Sequence, residues 1–129
     1  MRHTFKKAER LCSRKAIDEL FTSGNTFFCY PFRVVWALTD SPSVSPAQMA
    51  PTVPSRHFKK AVTRNLIKRR IKEAYRLNKQ VLYEPLGING KRVIFLLQYT
   101  AKDVVDYASI QNAVIEVLRR LSKAVEAPA

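Results

Sequence analysis

The sequence predicts an α+β fold, a single domain over residues 1–129 in the order αβββαβα with a four-stranded sheet, and three observations predict it. Three segments repeat apolar residues at helical spacing. Four shorter ones alternate or run apolar as strands do, and 129 residues at 47% hydrophobic suffice for one core, with no repeat and no second core. In residues 13–23, Ser13 can cap a first helix whose apolar stripe is Ile17, Leu20 and Phe21, and Gly24 ends it. Residues 27–30 read as extended up to Pro31. In residues 32–38, Phe32, Val34, Trp36 and Leu38 alternate with Arg33, Val35 and Ala37, the period of a strand. Residues 40–47 are polar and proline-bearing and read as a mobile loop. Residues 49–53 read as a short strand that Pro51 confines to an edge or a bulge. After a basic helix over residues 56–79, residues 83–90 read as a turn-rich connection and residues 92–99, apolar on both faces, as the central strand. Asp106 can cap a last helix running to about Lys123, with Ile110, Val114, Val117, Leu118 and Leu121 at helical spacing. Residues 1–10 and 124–129 are expected to be loose.

The basic helix carries the functional signal. Residues 56–79 hold ten Lys and Arg against the single acid Glu73, a net +9 of the chain's formal +13. At about 100° per residue, Asn65, Lys68, Arg69, Lys72, Arg76 and Lys79 share one face, and Ile67, Ile71, Ala74, Tyr75 and Leu82 share the other. A charge run is usually a solvated helix face, but such faces mix signs, because like charges at (i, i+4) repel by about 0.2 to 0.5 kcal/mol per pair. An uncompensated row points to a polyanionic partner. Phosphate backbones fit best, since counterions released by Lys and Arg drive that binding. A membrane surface fits less well, because the apolar face lacks the strong Trp, Phe and Leu character of interfacial helices.

Other classes find little support. No segment is long or apolar enough to span a bilayer, and the basic N-terminus lacks the apolar stretch of a signal peptide, so a cytoplasmic protein is expected. Cys12 and Cys29 stand apart with no CxxC or nearby His and read as reduced packing residues. His3 and His57 lie in cationic surroundings, Asp18, Glu19, Asp103 and Asp106 read as surface or cap residues, and no Gly-rich phosphate loop or metal-ligand spacing occurs. The expected catalytic and metal residues are therefore none. The protein alone is expected to bind no cofactor and to need no obligate protein partner.

The segment AVTRNLIKRRIKEAYR resembles the central helix of the bacterial ribonuclease P protein component, whose motif runs close to AVxRNRxKRRxRE. ERLCSRKAIDELFTSGN is similar to that family's first helix, FRVVW to its early strand and VIFLL to its last, so the resemblance covers nearly the whole chain. It implies an αβββαβα sandwich, similar to a ribosomal protein domain, with a left-handed βαβ crossover where the general rule predicts a right-handed one. It also implies a protein subunit of an endoribonuclease: the RNA subunit, with its Mg²⁺ ions, removes the 5′ leader of precursor tRNA, while the protein binds both RNAs. By position, Arg64, Asn65, Lys68, Arg69, Arg70, Lys72 and Arg76 are implied to contact the RNA subunit, and Arg56 and Lys60 just ahead extend that surface.

The implied leader cleft comprises Ile17, Phe21, Arg33 and Val35. Departures from the family stand at Leu66, in place of a second arginine, at Lys59, in place of a glycine, and at Ile17 and Val35, in place of aromatics. Leader contact then leans on Phe21 and nearby charges, with Trp36, Phe28 and Tyr30 as further aromatics, although the alternation around Trp36 marks a core face. Phe32, Val34 and Trp36 point to one side of the sheet, for the basic helix to cover, and Val35 to the other, for the first helix to cover in part. A ribosomal protein explains the charge equally well but needs no exposed Phe21. A DNA-binding regulator would need base-reading side chains and a dimer interface, and a self-sufficient nuclease would need a site.

Overall fold

The computed structural model describes residue 5, residues 7–39 and residues 45–126. The loop expected over residues 40–47 falls mostly outside these, as do His3 and the last three residues. After a single 3₁₀ turn at Lys7–Glu9, the elements are α1 (Arg14–Ser23), β1 (Asn25–Cys29), β2 (Phe32–Leu38), β3 (Ala47–Thr52), α2 (Ala61–Asn78), α3 (Gln80–Asn89), β4 (Val93–Tyr99) and α4 (Tyr107–Glu126). The sheet has four strands in the order β1-β2-β4-β3. The β1–β2 and β2–β4 pairs are antiparallel, whereas β3 and β4 are parallel and joined through α2 and α3. β3 carries Pro51 and sits at the edge, as the proline demands.

Local chemistry sets the ends of the helices. Ser13 Oγ accepts the Ala16 N–H at 3.2 Å, and the Gly24 N–H donates to the Leu20 carbonyl at 2.8 Å, so α1 is capped at both ends. A Cβ at position 24 would lie 2.5 Å from that carbonyl oxygen and 3.0 Å from Val35 Cγ1, so only glycine allows α1 to turn this close to the sheet. Asp106 Oδ1 accepts the Ser109 N–H at 3.1 Å and opens α4.

The two sheet faces are covered unequally. On one, Phe32, Val34, Met49, Phe95 and Leu97 pack against Ile67, Ile71 and Tyr75 of α2, Leu82 and Leu86 of α3, and Ile110, Val114 and Leu118 of α4. On the other, a small cluster of Leu11, Leu20, Val35, Ile94 and Leu96 lies under α1. This is the division of faces that the strand alternation predicts.

Four expectations need correction. The basic helix begins at Ala61 and not at residue 56, because Phe58 is buried against the Tyr99 ring (5.8 Å) and Arg64 donates to the carbonyls of Phe58 and Lys59. Residues 83–90 are not turns: they belong to α3, where Leu82 and Leu86 bury one helical turn apart despite Pro85, and Gly90 closes the helix at φ +66°. Residues 7–10 are not loose, since Glu9 is buried and the Leu11 N–H bonds the Met49 carbonyl at the free edge of β3. The last helix continues past Lys123 to Glu126.

Candidate nucleic-acid interface

Burial of Ile67, Ile71, Ala74 and Tyr75 turns the opposite side of α2 outward. Asn65 and Arg69 are exposed there, and Lys68, Lys72 and Arg76 half-exposed. Arg76 donates twice to Glu73, at 2.5 and 3.1 Å, which holds the Glu73 carboxyl below the usual carboxylate range and raises the guanidinium. That pair offsets one cation. Among the described residues no carboxylate pairs with Lys68, Arg69 or Lys72, so the centre of the stripe keeps its charge.

Other cations expected on this surface are differently used. Lys79 leaves the stripe, because α2 stops at Asn78 and the junction with α3 carries Lys79 inward, where it is 4% exposed. Its Nζ lies 2.6 Å from Glu9 Oε2, which also accepts the Tyr83 hydroxyl at 2.7 Å. The Tyr75 hydroxyl donates to that of Tyr83 at 3.2 Å, and burial pushes both phenols up. Arg64 ties down the turn before α2, and Arg70 donates to the Val105 carbonyl at 3.0 Å, bracing the approach to α4. Arg56 and Lys60 are exposed on the connection from β3.

The second sheet face is open where α1 does not reach. Leu20 is 1% exposed and packs in the cluster with Val35, Ile94 and Leu96, while its neighbour Phe21 is 53% exposed at the helix edge. Arg33 is exposed on the same face and donates to Gln98 Oε1 at 3.3 Å. Beside this pair the face ends in a recess of about 420 Å³, lined by Arg33, Thr52, Arg56, His57, Gln98 and Thr100 among others. The two aliphatic residues expected in the cleft are covered to different degrees. Val35 is 2% exposed beneath α1, and Ile17 is half-buried against the same cluster, because aliphatic side chains here fill the helix–sheet contact. Trp36 packs against the main core on the opposite face. Gln98 and Thr52 were missed, and His57 was expected only as a side chain in cationic surroundings; the only sequence signal is that Gln98 is the one polar residue in the apolar run of β4.

No reacting group stands out in this surface. The resolved shifts carry groups away from neutral titration: Tyr99 and Tyr107 rise with burial, Asp106 falls through its bond with Ser109, and burial pushes the Cys29 thiol up. Among the described residues no three His, Cys, Asp or Glu come together as metal ligands. Among the same residues no helix is long and apolar enough to cross a membrane.

A sequence model of the ribonuclease P family matches residues 5–122. The chain belongs to the ribonuclease P protein family. The ribonuclease P protein component of Porphyromonas gingivalis W83 is 33% identical over 116 residues, covering 90% of this chain and 85% of that protein. The ribonuclease P protein component of Petrotoga mobilis is 32% identical over 120 residues, covering 92% and 95%. Among solved structures, the RNase P protein of Staphylococcus aureus superposes with a TM-score of 0.67 at 23% identity, covering 89% of this chain and 96% of that one. That of Thermotoga maritima gives 0.69 at 22%, covering 87% and 96%. The α+β fold with its four-stranded sheet is thus that of ribonuclease P proteins.

Proposed function

We propose that this chain serves ribonuclease P by binding two RNAs: the catalytic RNA subunit through α2, and the 5′ leader of precursor tRNA on the open sheet face. The observation that carries the first part is the centre of α2, where Lys68, Arg69 and Lys72 have no paired carboxylate among the described residues. Such a row costs stability unless a polyanion covers it. Asn65, Arg76, Arg56 and Lys60 extend the surface, while Arg64 and Arg70 hold its backbone and offer their remaining N–H groups. Phe21 and Arg33 carry the second part, one as a stacking surface and the other as a donor to phosphate or base.

Catalysis belongs in this reading to the RNA subunit, which holds the Mg²⁺ mainly on its own phosphates, and the complex works in the cytoplasm. Family membership supports this over a ribosomal role. The chain purified free of RNA is expected to leave precursor tRNA intact, and adding the RNA subunit with Mg²⁺ to produce the mature 5′ end. The protein should lower the Mg²⁺ or substrate concentration required. Specific cleavage by rigorously RNA-free protein would overturn the assignment of catalysis.

A further inference from the structure

The outward side of α2 is not cationic throughout. A recess of about 520 Å³ lies against it, lined by Leu66 and the rings of Phe5 and Tyr107 together with Arg69, Arg70 and Lys72. The Glu73–Arg76 pair completes the lining and adds no net charge. Leu66 stands where the family motif has an arginine, so an apolar side chain replaces a cation within the basic face. Both rings are held. Phe5 meets the buried Tyr75 ring edge-on at 5.6 Å, and Tyr107 packs against the main core beside the carbonyl of Val105 that Arg70 grips. The Tyr107 hydroxyl is buried, and alone among the buried side-chain N and O atoms of the described residues it has no hydrogen-bond partner. Burial also raises its pKa, so it remains a donor. Folded proteins rarely leave such a group unpaired without a use for it.

We propose that this recess seats one unpaired nucleobase of the RNA subunit, with Leu66 and the two rings against the base, the Tyr107 hydroxyl donating to its edge, and Arg69 and Lys72 on the flanking phosphates. Phosphates alone would be served better by a cation at position 66 than by a leucine between two aromatics. A base supplies what the recess lacks: a flat apolar face and acceptors along its edge. Bases within a duplex keep their faces stacked and present mainly phosphates, so the occupant is one from a loop or a bulge. An apolar protein segment fits less well. It would desolvate Arg69 and Lys72, which pair with no carboxylate among the described residues, and bring no charge to meet them.

The inference rests on the reading that α2 binds the RNA subunit, so its test separates the two. Affinity for the RNA subunit, its salt dependence, and the reactivity of unpaired bases toward dimethyl sulfate and a carbodiimide are measured for the full chain. The variants are Leu66→Gln, Leu66→Arg, Tyr107→Phe and Arg69→Ala, each checked for an unchanged melting temperature. Leu66→Gln keeps the helix propensity and the size, and is expected to weaken binding about 3- to 10-fold with the salt slope unchanged, because an apolar contact releases no counterions. One base that the parent protects should then react. Tyr107→Phe, which loses only the donor, should weaken binding about 2- to 10-fold. Leu66→Arg adds a cation but fills the recess, and should also bind less tightly. Tighter binding by Leu66→Arg, or parent affinity and protection in Leu66→Gln while Arg69→Ala flattens the salt slope, would overturn the seat and leave the α2 reading standing. Parent affinity in Tyr107→Phe would overturn the contact with the base edge. An unchanged slope in Arg69→Ala would remove the α2 reading as well, and self-association of the free protein that Leu66→Gln abolishes would give the recess to a second copy instead.

Discussion

On one face of the sheet Phe32, Val34, Phe95 and Leu97 are wholly buried under three helices; on the other, α1 with Leu11 just before it covers Val35, Ile94 and Leu96 and leaves Phe28, Arg33 and Gln98 uncovered. The same strands supply both faces. What differs is how much helix lies on each, and side-chain chemistry follows that coverage: the first is apolar along β2 and β4, whereas the second turns from aliphatic to aromatic, cationic and amide at the line where α1 stops. Exposure without a helix to cover it has a cost in apolar burial, so a strand position left open and given a ring and a guanidinium suggests a ligand. The cations divide in the same way. Lys79 shares a side of the helical wheel with Arg69 and Lys72, but it is buried against Glu9 and they face solvent.

Substitutions on either side of these divisions should separate stability from binding. The largest effect is expected for Lys79→Met, which strands the Glu9 carboxylate among buried tyrosines and should cost about 3 to 5 kcal/mol in denaturant unfolding. Its folded fraction should keep the parent's salt dependence toward RNA. A small stability loss would mean that the pair is open to water. Val35→Tyr places an aromatic under α1, where the valine is 2% exposed and a Cβ at Gly24 would come within 3.0 Å of it, and overpacking should lower stability by about 1 to 3 kcal/mol without improving leader affinity. Tighter leader binding with unchanged melting would show that α1 lifts from the sheet.

Smaller effects belong to the open surfaces. Phe21→Ala should leave the melting curve nearly unchanged and weaken precursor tRNA binding by about 1 to 3 kcal/mol. For Arg69→Ala or Lys72→Ala, the slope of log K for the RNA subunit against log salt should become shallower by about 0.7 to 0.9, one phosphate contact each. An unchanged slope in both would make the stripe a merely solvated helix face.

Much of this arrangement was legible in the chain. The alternation from Phe32 to Leu38 marked both the bounds of β2 and the sides of its residues, and Ser13, Gly24 and Asp106 marked helix ends through short-range bonds that a sequence displays. The misses come from contacts between distant residues. The partner of Lys79 lies 70 residues away at Glu9, so the charge pattern around Lys79 contained nothing to signal its burial. Pro85 and Gly87 imitate a turn, and only the seat that α4 offers to Leu82 and Leu86 makes α3 a helix. Alternation told which side Val35 faces, but not how far α1 extends over it. Phe21 could be placed beside the sheet, whereas the neighbours Arg33, Gln98 and Thr52 needed the register of the strands.

The most direct measurement places a photoreactive side chain at position 21 and maps what it labels in the holo-enzyme bound to precursor tRNA. Crosslinks to nucleotides of the 5′ leader, lost when mature tRNA is used instead, are the expected result. Labelling confined to the RNA subunit would contradict the leader assignment and make the open face a surface for assembly.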